Sequence, residues 1–133
     1  MMIFETIVWA LGLIAVSTGA NNLVRGASVK ADFGNLGDAE KDPTLNFTIR
    51  FLGAIWTGFG ILLVLFATNL HMYQVPLILC FCIIIVGGIG RMISVKQFGI
   101  AKGREMLSYA IVGVELILVP ILLAWFLLFG LSR

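Results

Sequence analysis

The sequence predicts an all-α integral membrane protein: one domain, residues 1–133, folded as a bundle of four transmembrane helices. Three observations predict it. The first is composition: 60% of the residues are hydrophobic and 12% are charged, against about 25% charged in an ordinary soluble domain. A chain this small has no interior able to hide so much apolar surface, so lipid must cover it. The second is a set of four long apolar runs, at residues 3–24, 47–70, 75–95 and 106–131. Each reaches the roughly 20 residues that a helix needs to cross hydrocarbon. The third is that most charges fall between the runs. Helix is the only state open to them, because four strands cannot close a barrel in lipid.

Taken in order, the helices are expected at about 3–24, 43–70, 75–95 and 106–131. The chain starts Met1-Met2-Ile3-Phe4-Glu5, without the basic stretch of a secretory leader. No cleavage is therefore expected, although Ser17-Thr18-Gly19-Ala20 has the small residues of a cleavage site. Residues 25–46 form the one sizeable polar connection, with Gly26, Gly34 and Gly37 among Asp32, Asp38, Glu40 and Asp42. Asp42-Pro43 reads as a helix start, Asp as N-cap and Pro at the first helical position. The second helix should thus begin before its apolar run. A short surface helix in the middle of this loop is a further expectation. Residues 69–74 make a tight turn, residues 96–105 a short basic one. Pro120 sits inside the fourth run, where a modest kink is expected.

Orientation follows from basic residues in loops. Arg25, Lys30, Lys41, Lys96, Lys102 and Arg104 lie in the first and third connections, against Arg133 on the opposite side. The first and third loops should be cytoplasmic and both termini periplasmic. A net charge of +2 gives no reason to expect nucleic acid as a partner.

Three ionisable residues remain well inside the runs: Arg50, Arg91 and Glu115. Charges in lipid are costly, and they normally face other helices and pair. At about 1.5 Å per residue, Arg50 lies about 5 Å, Arg91 about 6 Å and Glu115 about 14 Å from the cytoplasmic side. Helical spacing sets Arg50, Gly53, Thr57 and Gly60 on one face, and Cys80, Ile84, Gly87, Arg91 and Ser94 on another. Ser108, Val112 and Glu115 align on the fourth helix, and Asn21 and Asn22 offer polar groups at the same depth. The expectation is a polar knot in which Glu115 accepts from Arg91 and Arg50. Two Arg against one Glu leave a positive charge that an anionic amphiphile would balance. Each Arg also has a plainer reading, snorkelling to headgroups, and an Arg–Glu pair can serve register alone.

Other residues carry less. Cys80 and Cys82 are two apart on a helix and point to nearly opposite faces, which excludes a C-x-x-C disulfide. His71 is the only His and lies in a turn, so no metal site is expected. A hydrolytic triad lacks an acid near His71. Glu5 is shallow enough to read as a hydrated residue. Gly87-Gly88-x-Gly90 lies within an apolar run without a preceding strand, so it reads as helix packing and no cofactor is expected.

The pattern Asn46-x-x-x-Arg50-Phe51-x-Gly53-x-x-Trp56-x-Gly58-x-Gly60, then Gly87-Gly88-x-Gly90-Arg91-x-x-Ser94, then Glu115-Leu116 and Pro120 resembles the bacterial membrane family named domain of unknown function 4345. The resemblance is clearest over residues 46–120. It implies four membrane helices in a bacterial inner membrane, with recurring polar positions at Arg50, Arg91, Ser94 and Glu115, and it implies no activity. Membrane glutathione transferases would want a Glu on the second helix, and vitamin K reductase relatives need C-x-x-C; both are missing. The leading expectation is a structural or accessory subunit in a homo-oligomer or a larger inner-membrane complex. The alternative is a binder or carrier of membrane lipid or a small anionic amphiphile through Arg50, Arg91 and Glu115, with Ser94, Asn21 and Asn22 nearby. An enzyme on a lipophilic substrate is the least supported reading, since no nucleophile, metal cluster or cofactor motif is present.

Overall fold

The computed structural model describes residues 2–29, 36–100 and 103–130. They form four long helices: α1 (Met2–Arg25), α2 (Pro43–Ala67), α3 (Gln74–Phe98) and α4 (Glu105–Phe129). There is no strand among the described residues. All four helices are long and apolar enough to span a bilayer, so the chain is an all-α, multi-pass membrane protein. The expectations resting on Lys30, Asp32, Gly34, Lys102, Leu131 and Arg133 lie outside the described residues.

The helix ends show where composition and backbone part company. α2 starts as the sequence predicts, with Asp42 Oδ1 accepting from the Leu45 amide at 2.7 Å and Pro43 at the first turn. It stops at Ala67, before the apolar run does. Thr68 Oγ1 donates to the Leu65 carbonyl at 2.7 Å, and Asn69 Oδ1 accepts from the Met72 amide at 3.1 Å. These side chains compete for backbone groups and turn the chain. α3 runs past Val95 because Lys96 and Gln97 end the apolar run without ending the helix, both being good helix formers. Gly99, at φ +75°, terminates it. The polar connection contains two short 3₁₀ turns, Gly26–Ser28 and Gly37–Lys41.

α4 is not uniform. Glu105–Gly113 and Val119–Trp125 are α-helical, while Val114–Leu118 and Phe126–Gly130 are wound as π-helix. Pro120 accounts for the first of these. It has no amide hydrogen for the Leu116 carbonyl, and its ring crowds that oxygen. Widening the preceding turn relieves the clash.

Contacts divide the chain into two units, Met2–Thr68 and the remainder from Asn69. In the first, α1 and α2 are antiparallel and meet through glycine. Gly12 and Gly19 on α1 are seven residues apart, as are Gly53 and Gly60 on α2. Gly12 faces Gly60, and Gly19 faces Gly53. A β-carbon placed on Gly53 would stand 2.6 Å from the Leu23 nitrogen and 2.8 Å from the Gly19 oxygen. The two backbones are therefore in direct contact. Lipid offers no hydrophobic drive for helix pairing, so this closeness matters: it gains dispersion and weak Cα–H···O contacts that side chains would prevent. Trp56 Nε1 adds a cross-helix bond to Thr18 Oγ1 at 3.1 Å.

In the second unit the seam follows an alternating spacing of four and three. Leu77, Phe81, Ile84 and Gly88 are buried on α3. Val112, Glu115, Val119, Leu122 and Phe126 are buried on α4. Such spacing keeps one stripe facing a partner helix. At Gly88 an added β-carbon would lie 2.8 Å from Glu115 Cβ. Gly88 thus makes room for the carboxylate.

Candidate functional site

Glu115 is the one buried charged residue among those described. It sits in the π-wound segment of α4, opposite Gly88, and its Oε2 lies 3.2 Å from Arg91 Nε. Gly88 and Arg91 are one turn apart on α3, so the glycine admits the acid and the arginine meets it. π-bulges recur at functional sites in helices. The pair is lopsided: the Glu115 side chain is 9% exposed and that of Arg91 53%. Oε2 takes no aligned hydrogen bond, so the contact is an ion pair held by charge. The sequence-predicted pairing of Arg91 with Glu115 is present. The glycine that packs against it is Gly88, whereas helical spacing from Arg91 predicts Gly87. Nothing lies within 4 Å of a β-carbon added at Gly87. Ser94 is exposed beyond Arg91.

Arg50, read from sequence as a second donor to Glu115, bonds within the first hairpin. Its Nη1 donates to the carbonyls of Leu23 at 2.9 Å and Val24 at 2.6 Å. These belong to the last turn of α1, whose carbonyls have no helical amide to accept from. A cation there also meets the negative end of the helix dipole. Asn46 works beside it. Its Oδ1 accepts from the Ala27 amide at 3.0 Å, while Nδ2 donates to the carbonyls of Glu40 and Asp42 at 2.7 and 3.1 Å. Asn46 was visible only as a motif residue, and its capping role was not legible because the 3₁₀ turn after Arg25 leaves no sequence signature. Asn21 and Asn22 are half-buried on α1, and Asn22 Oδ1 is buried without a hydrogen-bond donor among the described residues.

Cys80 is buried and Cys82 exposed, both free, as their opposite faces require. His71 is exposed in the turn before α3, and Glu5 is half-buried near the start of α1. Within the described residues, no three His, Cys, Asp or Glu side chains converge as a metal site would need.

These are the features of a membrane hairpin with one buried acid, and a family match places them. The model of the family described as domain of unknown function DUF4345 matches residues 3–126. The chain belongs to this family. The match covers Arg50, Arg91, Ser94 and Glu115 and reaches into all four spans. No curated protein and no solved structure matches the chain.

Proposed function

We infer that the protein is a structural or accessory subunit of a bacterial inner membrane, working by helix packing in a homo-oligomer or a larger complex. The observation that carries this reading is how the intramembrane charges are used. Arg50 caps α1 and Arg91 pairs with Glu115, each inside its own hairpin. Such pairs specify register and geometry. Each hairpin leaves apolar surface exposed, with Phe51 and Ile55 in the first and Ile83 and Ile117 in the second more than half exposed. The basic loops face the cytoplasm and the termini the periplasm, by the excess of Lys and Arg in the first and third connections.

Purification in a mild detergent, followed by native mass spectrometry and size-exclusion chromatography, tests this directly. The expected result is a defined oligomer or a stoichiometric protein partner. A strict monomer with no co-purifying protein refutes it. Reporter fusions at the C-terminus test the orientation, and a cytoplasmic readout there overturns that part.

A further inference from the structure

We propose that the exposed face of α3 seats a membrane phospholipid, with the phosphodiester at Arg91 and Ser94 and an acyl chain lying over Gly87. Three observations converge on this stripe. The first is the donor inventory. Glu115 engages Nε of Arg91, and a guanidinium presents five N–H donors in a fixed fork. The terminal nitrogens remain for a second anion, on a side chain that is 53% exposed. The charge of Glu115 draws the guanidinium toward one side of its range, which lowers the entropy lost on binding. Glu115 is in this respect a positioning residue.

The second is shape. Ile83, Gly87 and Arg91 follow one another at steps of four, with Ser94 three further, so they form one exposed line along the helix. Ile83 is exposed, and the space above Gly87 is open. The missing side chain leaves a notch between Ile83 and the guanidinium, on the side of Arg91 where an acyl chain would lie. Ser94 stands on the other side of Arg91, toward the helix end, where its hydroxyl adds a donor.

The third is depth. α3 has 25 residues, about 37 Å of helix against about 30 Å of hydrocarbon. Arg91 stands seven residues before Phe98, about 10 Å along the axis. With the overhang shared between the two ends, its Cα lies about 6 Å inside the hydrocarbon boundary, within snorkelling range of the phosphate layer. Charge-assisted, bidentate contacts to phosphate are the strength of arginine.

The test is native mass spectrometry of delipidated protein in neutral detergent, titrated with dioleoyl phosphatidylglycerol, with dioleoylglycerol (the same chains without phosphate), or with inorganic phosphate. Wild type should bind the phospholipid and should bind neither the diacylglycerol nor phosphate alone comparably. Arg91→Lys should lose about tenfold in affinity, or about 1.4 kcal/mol. Ser94→Ala should lose severalfold. Gly87→Leu leaves the Arg91–Glu115 pair in place and fills the notch, and should lose as much as Arg91→Lys; it keeps the test open if the arginine variant does not fold. Equal binding by wild type, Gly87→Leu and Ser94→Ala overturns the proposal. So does equal uptake of diacylglycerol, or occupancy by inorganic phosphate without a lipid adduct. None of these results bears on oligomeric state, so this site and the subunit reading stand or fall separately.

Discussion

Gly60→Ala isolates what backbone contact contributes to the first hairpin. A β-carbon at Gly60 would stand 2.6 Å from the Val16 nitrogen and 2.7 Å from the Gly12 oxygen, where ordinary contact begins at 3.4 Å. Both neighbours are main chain, so no rotamer change can relieve the overlap. α1 must retreat by about 0.7–0.8 Å, and a gap of that size forfeits a quarter to a half of each dispersion well along the seam. Overpacking of this kind typically costs about 1–3 kcal/mol. Gly58→Ala, two residues away on the same helix, is the matched control: nothing lies within 4 Å of its β-carbon. It should be neutral or should stabilise by up to about 1 kcal/mol, the helix-propensity gain of Ala over Gly. Both variants can be unfolded from mild detergent by SDS and followed by circular dichroism. If the two variants unfold together, the glycine seam does not hold α1 to α2 and the reasoning fails.

Three further outcomes follow from named contacts. Arg91→Ala should destabilise the protein more than Glu115→Ala, because it strands a buried carboxylate while the reverse change leaves a largely exposed guanidinium; a double variant no worse than Arg91→Ala alone would confirm the coupling in the same SDS assay, and the opposite ranking would refute it. Gly26→Ala should cost at least about 1–2 kcal/mol, since Gly26 has φ +60° and its β-carbon would meet Asn46 Oδ1; unchanged stability would mean the turn after α1 relaxes freely. Asp42→Ala removes the N-cap of α2 and should cost about 0.5–2 kcal/mol, with Asp42→Asn nearly silent; amide exchange of Thr44 and Leu45 would report the loss locally.

The spans were legible because length and apolarity are properties of the chain alone. The start of α2 was equally legible, since Asp-Pro encodes both its cap and its first turn. The Arg91–Glu115 pair was readable too, because a lone acid in an apolar run has few ways to be satisfied. Other features depend on the partner. Gly12 and Gly19 looked like any glycines in a membrane helix, and only the backbone of α2 gives them meaning. Gly87 and Gly88 differ by one residue, about 100° of helix, and an apolar run carries no polar side to say which one faces in. By charge alone, Arg50 is a partner for an acid. Its bonds go to carbonyls, which every residue has and which no sequence pattern marks.

The glycine seam also makes the first hairpin self-sufficient in its pairing information. Among the described residues, the glycine contacts that close the first hairpin lie within Met2–Thr68, so the information for this pairing is local to that stretch. In the folded hairpin Arg50 is matched to the carbonyls of Leu23 and Val24. Two helices joined backbone to backbone present less perimeter to lipid than two helices apart. The first half of the chain thus carries within its own sequence the carbonyls that take up its intramembrane arginine.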